Sequence, residues 1–75
     1  MNNIFVEVQV YPAMDIHSVA RDACKFSDKM LIPVRFNFNG IFLFAYPGHS
    51  VQIEDRAIDI VNEYERKAEH VTENS

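Results

Sequence analysis

A chain of 75 residues is one domain, and with a single cysteine it excludes an intrachain disulfide. Three scattered histidines beside Cys24 offer no ligand set for structural zinc. The net charge of −4 arises wholly after residue 53, where seven acids face Arg56, Arg66 and Lys67, so a generic electrostatic grip on nucleic acid is disfavoured.

Residues 3–11 alternate Ile4, Val6, Val8 and Val10 with Phe5, Glu7, Gln9 and Tyr11. Period 2 with β-branched residues on one face predicts a half-buried strand. Pro12 ends it, because proline cannot donate to a ladder. The same segment lacks the basic start of a signal peptide, and no run approaches the ~20 apolar residues that span a bilayer. With the lone cysteine, this leads to the expectation of a cytoplasmic protein.

Residues 15–30 read as a helix with Asp15 as N-cap. Ile16, Val19, Ala20, Ala23, Phe26 and Met30 form its apolar stripe, and Arg21, Lys25 and Lys29 a solvated flank. Cys24 reads as a packing residue. His17 lies two helical turns away, roughly 10 Å, too far for a Cys–His catalytic pair. Pro33 closes the segment.

Asn39-Gly40 is a strong hairpin signal, since a type I′ turn needs φ > 0 at both central positions. The two-residue loop pairs Phe38 with Ile41, Asn37 with Phe42, Phe36 with Leu43, Arg35 with Phe44 and Val34 with Ala45. One face then carries Val34, Phe36, Phe38, Ile41, Leu43 and Ala45. The other carries Arg35, Asn37, Phe42, Phe44 and Tyr46.

A turn over Tyr46-Pro47-Gly48-His49-Ser50 leads to a second helix, with Ser50 as its expected N-cap. Its apolar stripe is Ile53, Ala57, Ile60, Val61, Tyr64 and Ala68, with Ile58 off the stripe. Asp55, Asp59 and Glu63 form an acidic row at i, i+4 and i+8. Like charges so spaced oppose a helix by a few tenths of a kcal/mol each. A solvated flank accounts for such a row, and docking to a basic protein surface is the sharper alternative. A single domain over residues 1–69 with a frayed tail at 70–75 follows.

The expected fold is α+β in the order β-α-β-β-α, a three-stranded, mainly antiparallel sheet with both helices on one face. The third strand is apolar on both faces, the usual mark of a central strand, which favours spatial order 1-3-2, a ferredoxin-like arrangement without its last strand. The alternative places strand one beside strand two in parallel.

The uncovered sheet face is the expected interaction surface: Phe5, Arg35, Asn37, Phe42, Phe44 and Tyr46, with Tyr11 and Glu7 on the same side. Contiguous apolar patches of this kind mark contact sites. Self-association as a homodimer, a protein partner, and base stacking on single-stranded nucleic acid are the three readings. Arg35 is the one cation on the sheet, which weighs against nucleic acid. No spacing assembles a catalytic acid, base or nucleophile set, and no cofactor, metal or membrane partner is implied. The run Ile-Pro-Val-Arg-Phe-Asn-Phe-Asn-Gly-Ile at 32–41, with Tyr-Pro-Gly-His-Ser-Val at 46–51, resembles small accessory proteins encoded by bacteriophages and mobile elements. That resemblance implies a non-enzymatic modulator acting through protein contacts, and it carries over no functional residue.

Overall fold

Local chemistry sets the elements. A computed structural model describes residues 4–10, 14–48 and 52–73, with the side chains of the last helix described through Glu69. The order is β1 (Val6–Val8), α1 (Ile16–Met30), β2 (Val34–Phe38), β3 (Ile41–Ala45) and α2 (Ile53–Glu73). Tyr11 and Pro12, the expected end of the first strand, and His49 and Ser50 of the expected turn lie outside the described residues.

Asp15 caps α1, as its residue type predicts. Its Oδ1 accepts the Ser18 N–H at 2.9 Å and its Oδ2 accepts the Ser18 hydroxyl at 3.0 Å. These bonds to Ser18, the backbone one foremost, hold the carboxyl below its ordinary value of 3.8. A depressed carboxylate stabilises the fold above its unfolded pKa, and the contribution is lost as pH falls through the folded one. Asp15→Ala should therefore lower the thermal midpoint by a few degrees at neutral pH. The gap from wild type should close as the pH drops below 3.8. Paired melting curves across that range check it, and a gap that persists in acid would contradict the cap.

The helix stops at Leu31, which takes the left-handed conformation (φ 61) and donates its N–H to Ser27 O at 2.7 Å. The Ser27 hydroxyl donates to Ile32 O at 2.6 Å, so this polar residue is fully buried at the helix end.

The hairpin has the expected register at every pair, from Phe38↔Ile41 to Val34↔Ala45. Asn39 (φ 53) and Gly40 (φ 83) take the two positive φ values of the turn. The Gly40 N–H is held by Asn37 Oδ1 at 3.0 Å. Asn39 Nδ2 donates to the Tyr64 hydroxyl at 3.0 Å, and the Tyr64 ring meets Phe38 edge-on at 5.3 Å, which moors the turn to α2.

The strand order overturns the expectation of 1-3-2. The sheet runs β1-β2-β3, with β1 parallel to β2 and β2 antiparallel to β3, so it is mixed and β2 is central. The stretch from β1 through α1 is long enough for a parallel crossover, so β2 returns directly beside β1. Glu7 then stands opposite Arg35, and their side chains form an ion pair. Strand β3 is apolar on both faces for a different reason than centrality: on its outer face Phe44 packs on Phe5 and Tyr46, and Phe42 lies against the Arg35 guanidinium. β1 is also shorter than the predicted 3–11, because an edge strand has a ladder on one side only. Val6 N–H anchors its start on Pro33 O at 2.9 Å.

Both helices cover one face of the sheet, as expected. The core joins Val34, Phe36, Leu43 and Ala45 to Val19, Ala20, Ala23 and Cys24 of α1 and to Ala57 and Ile60 of α2. The α1 stripe is rotated from the predicted one. Cys24 and Ser27 are buried, while Phe26 and Met30 are exposed. The helix turns toward α2, and the bond from Ser27 to Ile32 lets a hydroxyl occupy the inner face. Helix α2 buries Ala57 and Ile60 of its predicted stripe, packs Ile53, Val61 and Tyr64 partly buried against the core, and runs on through Glu73. Among the described residues no helix is long and apolar enough to cross a membrane.

Two polar links that composition did not reveal fasten the helices. Arg56 of α2 forks onto Asp28 of α1, with Nη1–Oδ1 at 2.9 Å and Nη2–Oδ2 at 2.6 Å. Arg21 leaves its supposed solvated flank to donate to Glu54 at 3.2 Å, and His17 Nε2 lies 3.0 Å from the same carboxylate.

Candidate functional site

Alternation along β2 and β3 puts Arg35, Asn37, Phe42 and Phe44 on the face opposite the helices. Phe5, just before β1, and Tyr46, just after β3, extend the same face. The structure brings Phe5, Arg35, Phe42, Phe44 and Tyr46 into one connected cluster. The Arg35 guanidinium lies 5.0 Å from the centre of the Phe5 ring and 4.5 Å from that of Phe42. Phe5 meets Phe44 edge-on at 5.7 Å, and Phe44 stacks on Tyr46 at 5.8 Å. Glu7 holds the guanidinium from the neighbouring strand, with Arg35 Nε donating to Oε1 at 3.0 Å.

This arrangement is preorganised. Cation–π contact on two rings, with a carboxylate on the guanidinium, restrains a long side chain that would otherwise sample many rotamers. The rings nevertheless remain open to solvent, with Phe42 46% and Tyr46 60% exposed. Phe44 is half-buried beneath its neighbours. Asn37 shares the face, but its side-chain oxygen serves the turn. Tyr11, expected on this face, lies outside the described residues.

The acidic row divides. Asp59 and Glu63 line a cleft of about 240 Å³ between α2 and the outer edge of β3, together with Arg56, Cys24, Phe44, Ala45, Tyr46 and Ile60. Glu63 is paired with Lys67 at 3.2 Å, whereas Asp55 and Asp59 form no ion pair among the described residues. Two surfaces that look separate along the chain thus adjoin at β3. Period and spacing could not show this, since strand β3 and helix α2 are related only by packing.

Cys24 is buried in the core, where loss of water pushes its thiol above the ordinary value of 9.0. A neutral, enclosed thiol is a packing group. Among the described residues no three His, Cys, Asp or Glu side chains gather as a possible metal site. Compared with protein-family models, with curated proteins and with solved structures, the chain matches none.

Proposed function

We propose that this chain is a non-enzymatic protein-contact module, a small accessory or regulatory protein whose open sheet face binds protein, in the first place a second copy of itself. One observation carries the reading. Arg35 is clasped between Phe5 and Phe42 and held by Glu7, beside the stacked Phe44 and Tyr46, on the face that neither helix covers. Aromatic residues and arginine are the usual anchors of protein interfaces. A symmetric dimer through this face would also enlarge the small core of a chain this short.

Base stacking on single strands finds less support. The sheet's cation is already neutralised by Glu7, so it has little charge left to offer a phosphate.

The test is solution mass. Light scattering of the wild type should give about twice the monomer mass at micromolar concentration, and Phe44→Glu should return it to the monomer. Circular dichroism of the variant should stay folded, because the Phe44 side chain faces away from the core. Wild-type protein that is monomeric throughout, with the variant unchanged, would overturn the self-association.

A further inference from the structure

We propose that the free edge of β3 is a strand-addition site for an extended segment of a partner protein in which apolar and basic residues alternate. It borders the open face at Phe42, Phe44 and Tyr46, but it uses the main chain of the edge and does not rest on the dimer.

Among the described residues strand β3 has a neighbour on one side only. In a hairpin closed by two residues, the flanking pair Phe38–Ile41 is hydrogen-bonded and the pairs then alternate. Phe42 and Phe44 therefore turn their N–H and C=O groups away from β2. Two contacts agree with this. Lys67 Nζ donates to Phe42 O at 3.2 Å, and Arg56 Nη1 donates to Tyr46 O at 2.9 Å. Both donors come from α2 and cap the edge at either end. The Phe44 N–H and C=O lie between them, facing the cleft.

The surroundings select the occupant. A strand added here sends alternate side chains to opposite sides. On one side they extend the row Phe42, Phe44 and Tyr46, which favours apolar groups. On the other they meet Asp59 and Glu63 beside Arg56; Arg56 is paired with Asp28 and Glu63 with Lys67, so Asp59, which forms no ion pair among the described residues, is the charge that favours a cation. A second copy of this chain is a poor fit. Strand β3 has no basic residue, and joining two β3 edges would bring two acidic α2 rows to the same side of the sheet. Lys67 on the edge further discourages self-pairing and would have to swing aside for any strand to dock. Main-chain bonds would supply affinity, and the alternating side chains selectivity.

The register makes a sharp test. Residues directly opposite one another point to the same face. In an antiparallel addition, the one proposed here, the residue whose amide bonds Phe44 must therefore carry the apolar side chain, and the basic residues direct their amides outward. The probe is a short, fluorescently labelled peptide of alternating valine and lysine, read by anisotropy at moderate salt. Saturable binding is expected. N-methylation of the valine amides should weaken it at least about tenfold, while N-methylation of the lysine amides should change it less than about threefold. Asp59→Lys/Glu63→Lys should weaken it about tenfold with the circular dichroism unchanged. Equal binding of the two methylated peptides would reduce the effect to charge and overturn strand addition, as would absence of saturable binding. A mass that doubles on Asp59→Asn/Glu63→Gln, with no peptide bound, would make a second copy the occupant and also overturn the proposal.

Discussion

Phe36→Ala is expected to cost about 3–5 kcal/mol, enough to unfold a large share of the molecules at room temperature. Phe36 is fully buried on the central strand, with Val8 opposite on β1 and Leu43 opposite on β3. Helices cover it from above as part of one core. Truncation removes the transfer energy of the ring and leaves a void lined on both sides, which the sheet cannot close without breaking a ladder. A domain of this length has a margin of only a few kcal/mol, so one such void uses most of it. Denaturant titration followed by circular dichroism, at matched protein concentration, measures the loss. A loss under about 1 kcal/mol would mean that the Phe36 ring is not enclosed by two neighbouring strands.

The second large effect is expected at Arg56. Arg56→Ala should destabilise by about 3 kcal/mol, toward the lower end for buried pairs because the two side chains retain 14% and 16% exposure. The guanidinium binds Asp28 through both nitrogens and also donates to Tyr46 O. Asp28 in turn accepts the Gly48 N–H at 3.1 Å. One group thus joins α1, the exit of β3 and α2. The hydrogen bond to Asp28 pushes the Arg56 pKa up, so the guanidinium stays charged across the accessible range. Removing it leaves the Asp28 carboxylate partly enclosed without its cation. Asp28→Leu/Arg56→Met should recover a measurable part of the loss, since an apolar pair carries no uncompensated charge. It should not recover all of it, because the Gly48 N–H and the Tyr46 carbonyl lose a partner. A double-mutant cycle by denaturation measures the coupling, and additive losses would show that the pair contributes nothing as a pair.

The elements with short-range causes were legible in the residues. Asp15 caps α1 because its carboxylate reaches an amide three residues on. Asn39-Gly40 sets the whole hairpin register because two residues with positive φ leave one way to align the strands. Period 2 assigned the faces of β2 and β3, and so found the aromatic cluster. The α1 stripe was less legible. Phe26 and Met30 match helical spacing, yet Cys24 and Ser27 are the residues turned inward. Hydropathy ranks a phenylalanine above a serine and cannot see the carbonyl of Ile32 waiting for that hydroxyl.

By itself the sequence determined the order of elements, the turn, the register across it and the identity of the outward aromatics, because each depends on residues a few positions apart. Tertiary structure alone decided that β2 is central, that Arg56 and Asp28 meet, and that the acidic row of α2 borders the free edge of β3. Those outcomes compare whole packings, in which a crossover, a buried ion pair and a cluster of rings are weighed together. An apolar strand can satisfy its outer face either beneath a flanking strand or against its own neighbouring rings, and the pattern of residues along β3 is the same in both cases.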